Sequence, residues 1–132
     1  MLEKNIIAVV EDDAGVRDAL ERLLTSWGYG VELYASAEEF IGAAISSVAA
    51  CLLVDIQLGD ISGVELGRHL LSNGLTFPII FMTGSQDEIV RRQALDFGCI
   101  AYLSKPLQTR QLKEAIDLAI AQSIANKGID TP

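Results

Sequence analysis

The chain has 132 residues, half of them hydrophobic, with 10 basic side chains against 18 acidic ones and a formal net charge of −8. That length predicts one domain with enough apolar material for a sizeable core, and the acidic balance argues against broad nucleic-acid binding, which needs a basic face. No uninterrupted apolar run of about 18 residues occurs, so no membrane span is expected, and the opening Met1-Leu2-Glu3-Lys4 is too polar for a signal peptide.

The first apolar run, Ile6-Ile7-Ala8-Val9-Val10, reads as a buried strand. Val16, Ala19, Leu20, Leu23, Leu24 and Trp27 follow at helical spacing, and Gly28 and Gly30 stop that first helix. Val31, Leu33 and Ala35 alternate with Glu32 and Tyr34, as a half-exposed edge strand would. Ser36 with Glu39 has capping-box spacing and opens a second helix. Cys51-Leu52-Leu53-Val54 is the third strand. Ser62 with Glu65 opens a third helix that Gly74 ends.

Ile79-Ile80-Phe81-Met82 is the fourth strand, and Ser85 with Glu88 is the expected cap of a fourth helix ending at Gly98. Residues 100–103 form the fifth strand. Leu112, Ala115, Ile116, Ala119 and Ile120 mark one face of a fifth helix, and residues 125–132 read as a C-terminal tail or truncated linker after a domain spanning 1–124. Five strands alternating with five helices predict an α/β doubly wound parallel sheet with helices on both faces. Ligands of such sheets bind beyond the carboxyl ends of the strands.

The chemistry-bearing residues gather at those ends. Asp12 and Asp13 follow the first strand, Asp55 the third, and Lys105 the fifth. Carboxylates held close together repel one another and are tolerated where a cation sits among them, and oxygen-only ligands favour a hard ion such as Mg2+. Asp55 has the chemistry either to ligate metal or to attack phosphorus; alone, a strand-end aspartate is usually a cap. Asp12 or Asp13 also suits the cap of the first helix, and Glu11 reads as peripheral.

Lys105 precedes Pro106 and suits a contact to a phosphoryl oxygen, although a solvated loop lysine is the commoner fate. The isomer of that X-Pro bond is not fixed by sequence. Thr83, followed by Gly84 and Ser85, offers a hydroxyl to the same group, or to a local backbone partner. Tyr102 is an aromatic on an edge strand, most simply a packing residue. His69 has no metal-ligand partner at helical spacing and reads as a surface or partly buried histidine. Cys51 and Cys99 lie in or beside apolar runs without CxxC or His/Cys spacing, so the expectation is buried, reduced thiols and no zinc site.

Four segments, taken together and in this order, resemble the receiver domain of bacterial two-component response regulators. They are Glu11-Asp12-Asp13, the stretch from Asp55 to Gly63, Thr83-Gly84, and Ala101-Tyr102-Leu103-Ser104-Lys105-Pro106. The resemblance runs from Asn5 to about Ile124 and implies a flavodoxin-like sheet of strand order 2-1-3-4-5. It implies Asp55 as phosphoacceptor, with Mg2+ held by Asp12, Asp13, Asp55 and the backbone carbonyl of Gln57. It implies Thr83 and Lys105 as phosphoryl contacts, with Thr83 and Tyr102 as switch residues. Gly59 stands where the family commonly has proline, which leaves the path of that loop open.

Also implied are a sensor histidine kinase or phosphotransfer protein as partner, a cytoplasmic location, slow autodephosphorylation, and transcription regulation through an output domain or partner. The signalling face implied is that of the fourth helix, fifth strand and fifth helix; a homodimer would use that face or the first and fifth helices. Such a domain is a switch, not a conventional enzyme. Three rivals differ in testable ways. An aspartyl phosphohydrolase would place a second acid where Gln57 stands. A flavin-binding protein would not carry three acids after the first strand. A receiver-like interaction domain would have no need of the acids, Thr83 and Lys105 together.

Overall fold

The computed structural model describes residues 4–129. Five strands, β1 (Ile6–Val10), β2 (Gly30–Tyr34), β3 (Cys51–Asp55), β4 (Ile79–Thr83) and β5 (Ala101–Ser104), alternate with α1 (Ala14–Ser26), α2 (Ala37–Ala43), α3 (Gly63–Ser72), α4 (Glu88–Phe97) and α5 (Thr109–Ile129). All strand pairs are parallel, as the apolar runs predict, in the order β2-β1-β3-β4-β5 that the resemblance implies. The second and fifth strands each sit one residue from their expected bounds. At the end of β2 the Ala35 amide leaves the ladder to donate to the Glu39 carboxylate, 2.6 Å away. Helix α5 continues through Ala125–Ile129, residues that read as tail; residues 1–3 and 130–132, which carry the rest of the terminal expectations, lie outside the described residues.

Alternation along the strands divides the core in two. Ala8, Val10, Leu52, Val54, Ile79 and Phe81 pack against α2, α3 and α4, together with Phe40, Leu66 and Leu70. Ile7, Val9, Cys51, Leu53, Ile80 and Met82 pack against α1 and α5, together with Leu24, Leu112 and Ile116. Burial of each such large apolar side chain contributes about 1.5–3 kcal/mol. The continuous burial of β3 and β4 explains their unbroken apolar sequence. In α1 the expected apolar face narrows: Leu20 and Leu24 are buried but Ala19 is exposed.

The helix starts are set by side-chain caps. Ser62 and Glu65 form the full reciprocal box at α3. At α2, Ser36 accepts from the Glu39 amide as expected, but the Glu39 carboxylate turns to the Ala35 amide. At α4 the expected Ser85–Glu88 box does not form. Asp87 is the cap, accepting from Ile89 and Val90, and the Ser85 hydroxyl accepts from the Asp87 amide. A carboxylate next to the helix outcompetes a hydroxyl two residues earlier. Gly28, Gly74 and Gly98 end α1, α3 and α4 with positive φ.

Candidate functional site

Register brings the ends of β1, β3, β4 and β5 to one edge. Val10 lies beside Val54, Asp55 beside Met82, and Thr83 beside Ser104. Glu11, Asp55, Thr83 and Lys105 therefore leave neighbouring strands within a residue of one another. Backbone bonds continue past the strand ends and hold them there: Glu11 to Tyr34, Ile56 to Met82 and Lys105 to Thr83, at 3.0, 2.8 and 2.7 Å. The Lys105-Pro106 peptide is cis.

The centre of the site is an ion triad. The Lys105 ammonium donates to Asp55 Oδ2 at 2.6 Å and to Glu11 Oε2 at 2.7 Å. Both carboxylates are buried, Glu11 at 1% and Asp55 at 5% relative exposure. The other oxygens are also engaged: Asp55 Oδ1 accepts from the Gln57 amide at 2.8 Å and Glu11 Oε1 from the Asp13 amide at 3.1 Å. Arg17 donates to the Glu11 backbone carbonyl at 2.7 Å, tying α1 to the same corner. Burial pushes the Glu11 carboxyl above its ordinary range, against the lowering effect of the Lys105 hydrogen bond. Burial alone would lower the Lys105 ammonium; its hydrogen bonds to Asp55 and Glu11 outweigh that and hold it above its ordinary value.

The acids divide differently from the expectation. Glu11, Asp12 and Asp55 each offer an oxygen within 4.8 Å of the others, with Asp12 exposed and the other two buried. Glu11, read as peripheral, is inside the site. Asp13 is the N-cap of α1, its Oδ1 accepting from the Val16 amide at 3.0 Å. The signal for Glu11 was the strand period. Ile7 and Val9 share the α1/α5 face with Cys51 and Leu53, so the next residues of that parity are Glu11 and Asp55. Ala101 and Leu103 put Lys105 on the same side. The oxygen-only set suits a hard divalent ion such as Mg2+.

Thr83 and Tyr102 have the opposite parity. Thr83 is buried, and its hydroxyl is engaged locally: it accepts from the Ser85 amide at 3.0 Å and reaches the Ser85 carbonyl at 3.3 Å. Tyr102 packs against the α2/α3/α4 core, with its hydroxyl buried and without a hydrogen-bond partner among the described residues. Gln57 is exposed, and Gly63 is buried against the end of β3. A Cβ at Gly63 would lie 2.8 Å from the Asp55 carbonyl oxygen and 3.1 Å from the Ile56 Cα, so the start of α3 can approach β3 only without a side chain. His69 is exposed on α3. Cys51 is buried and Cys99 half-buried, both as free thiols.

Beside Lys105, an apolar cleft runs between α1 and the segment leading to α5, lined by Val16, Ala19, Leu23, Pro106 and Leu107. No described helix is long and apolar enough to cross a membrane.

Comparison with known proteins agrees with this geometry. Residues 7–117 match the family model described as response regulator receiver domain. The transcriptional regulatory protein FixJ of Bradyrhizobium diazoefficiens is 34% identical over 123 residues, covering 93% of this chain and 60% of that protein. The transcriptional regulatory protein TdiR of Thauera aromatica is 35% identical over 115 residues, covering 87% of this chain and 51% of that one. The chain thus spans between half and two thirds of the length of these relatives. Among solved structures, the crystal structure of FixJ-N superposes with a TM-score of 0.84 at 31% identity, covering 91% of this chain and 96% of that one. With a buried acid, a lysine and an acidic cluster at the carboxyl edge of a 2-1-3-4-5 sheet, and a family match across most of its length, the chain belongs to the response regulator receiver domains, signalling switches rather than conventional enzymes.

Proposed function

We propose that Asp55 is the phosphoacceptor of a Mg2+-dependent switch. The observation that carries this reading is the Lys105–Asp55–Glu11 triad beside exposed Asp12. The residues that would hold the ion are Glu11, Asp12, Asp55 and the backbone carbonyl of Gln57, with Glu11 taking the place assigned to Asp13 from sequence. When bound, Mg2+ supplies positive charge that offsets repulsion between the acids and an incoming phosphoryl group.

Asp55 attacks the phosphorus of a phosphohistidine or a small phosphodonor. An acyl-phosphate bond forms, the P–N or P–O bond to the donor breaks, and the donor leaves with the bonding electrons. Lys105 stays in reach of the phosphoryl oxygens and replaces its bond to the free carboxylate with one to the product. The product phosphoryl group carries roughly two negative charges, and slow hydrolysis returns Asp55 to its free form.

Thr83 then gives up its Ser85 contacts to donate to the phosphoryl group. The Tyr102 hydroxyl has no partner among the described residues, and an unsatisfied buried hydroxyl costs about 1–3 kcal/mol. That cost lowers the gap to any packing in which Tyr102 finds one, so modest differential contact at Thr83 shifts the α4-β5-α5 face. The phosphodonor partner is a sensor histidine kinase or phosphotransfer protein, for which the apolar cleft beside Lys105 offers a docking surface. In this reading the domain works in the cytoplasm and governs transcription through an output domain or partner, with a homodimer through the α4-β5-α5 or α1-α5 face.

The test is intact mass after incubation with acetyl phosphate and Mg2+. Wild-type protein gains one phosphoryl group, and Asp55→Asn gains none. The same gain in Asp55→Asn would assign the phosphoryl group elsewhere.

A further inference from the structure

The loop between β3 and α3 carries Gln57; Leu58 and Ile61 pack half-buried against the α2/α3/α4 core, while Gly59 and Asp60 between them are exposed and no proline stiffens the tip. Its two stems are fixed. The Gly63 amide donates to the Ile56 carbonyl at 2.8 Å, Gln57 and Ser62 form an isolated antiparallel bridge, and Ser62 caps α3. The tip is held from another element. Asp60 reaches across to the start of α2, accepting from the Glu38 amide at 2.9 Å and the Ala37 amide at 3.4 Å.

These amides belong to the first helical turn, which has no intrahelical acceptors. Ser36 serves only the Glu39 amide. Local sequence and a distant loop thus share the capping of α2, and the carboxylate is charge-matched to the helix start. The backbone contacts at Glu38 and Ala37 accordingly hold the Asp60 carboxyl below its ordinary range.

We infer that Asp60 is a positioning residue for the phosphoryl-transfer site: by clamping the loop tip to α2 it reinforces the stem contacts that hold the Gln57 backbone next to Asp55. This rests on the proposed Mg2+-dependent phosphorylation of Asp55. The clamp takes over the restraint that a proline at position 59 would otherwise supply. Gly59 does not have positive φ, its amide donates no hydrogen bond among those between described residues, and a Cβ there would meet nothing within 4 Å. A proline at 59 therefore removes no backbone hydrogen bond and its Cβ meets no neighbour.

The experiment is a calorimetric Mg2+ titration of wild type, Asp60→Ala, Asp60→Asn and the double variant Gly59→Pro/Asp60→Ala, with mass-detected phosphorylation by acetyl phosphate in parallel. Loosening the loop that carries Gln57 weakens Mg2+ binding in Asp60→Ala by about tenfold, the low end of the effect of losing support around a metal ligand. Asp60→Asn, which keeps an acceptor for Glu38, loses less, and the double variant recovers toward wild type. Phosphorylation of Asp60→Ala reaches the wild-type level at saturating Mg2+.

Asp60→Ala binding Mg2+ within about twofold of wild type, with only a lowered melting temperature, would make Asp60 a helix cap and nothing more. A double variant as weak as Asp60→Ala would overturn loop restraint as the cause. Wild type that neither binds Mg2+ nor takes a phosphoryl group overturns the functional reading and this inference together. Wild type that does both while Asp60→Ala matches it overturns this inference alone.

Discussion

Strand β3 carries a potential nucleophile at each end, Cys51 and Asp55, and both are buried. They face the same side of the sheet, four residues apart, yet their surroundings are opposites. Cys51 sits among Ile7, Leu53, Leu112 and the rest of the α1/α5 core, with only a long 3.6 Å contact from its sulfur to the Leu52 carbonyl. Burial pushes its thiol up to about 12, so the reactive thiolate is absent near neutral pH. Asp55 is nearly as inaccessible but meets an ammonium, a backbone amide and two further acids. Burial by itself makes a group inert; burial with fixed, opposing charge makes it a site.

Breaking the charged end has the largest expected effect. Lys105→Ala leaves Glu11 and Asp55 buried together without a counter-charge, and loss of one partner from such a group costs about 3 kcal/mol or more. Thermal or urea unfolding without divalent ions checks the loss. Added Mg2+ is expected to recover much of that stability, because the ion replaces the missing ammonium. Destabilisation that Mg2+ leaves unchanged would mean the acids do not hold the ion.

A backbone perturbation at the same end comes next. Gly63→Ala puts a methyl group 2.8 Å from the Asp55 carbonyl oxygen, and overpacking of this kind costs about 1–3 kcal/mol. It also displaces Asp55 from Lys105, so phosphorylation by acetyl phosphate slows at temperatures where the variant is fully folded. Unfolding curves with kinetics at low temperature separate the two effects.

The inert end gives the smallest signal. In the native protein at pH 8, alkylation of Cys51 is expected to wait on unfolding, while half-buried Cys99, whose thiol burial also pushes above its ordinary value, reacts slowly but first. Peptide mapping after timed iodoacetamide treatment distinguishes them. Cys51 labelling at the same rate as Cys99 would show that the α1/α5 core opens locally.

Much of this was legible in the residues. Unbroken apolar runs placed four of the five strands and alternation placed the edge strand β2, because a strand buried on both faces has no polar positions and an edge strand does; glycine stops marked the ends of α1, α3 and α4. Asp55, Lys105 and Thr83 stood out because each follows such a run. The assignment of Asp13 over Glu11 followed adjacency along the chain, whereas in the fold Asp13 is taken up as the cap of α1 and Glu11, the first residue past β1, stays beside Asp55. The Ser85 cap failed for a related reason, since spacing names an acceptor but not its competitor at Asp87. Asp60 had no local signal at all: its partners lie more than twenty residues away, on a helix start that only the folded chain brings near.

Parity also separates the acid–ammonium triad from Thr83 and Tyr102, which belong to the other side of the pleat. In the proposed switch, the sheet is then a partition as well as a scaffold, with bond-making on the side of α1 and α5 and the responding aromatic on the side of α3 and α4. The short segments leaving β3, β4 and β5 join the two compartments. Substitutions in one compartment can therefore retune how fast the message is written while leaving how it is read intact, and drift in the other can do the reverse.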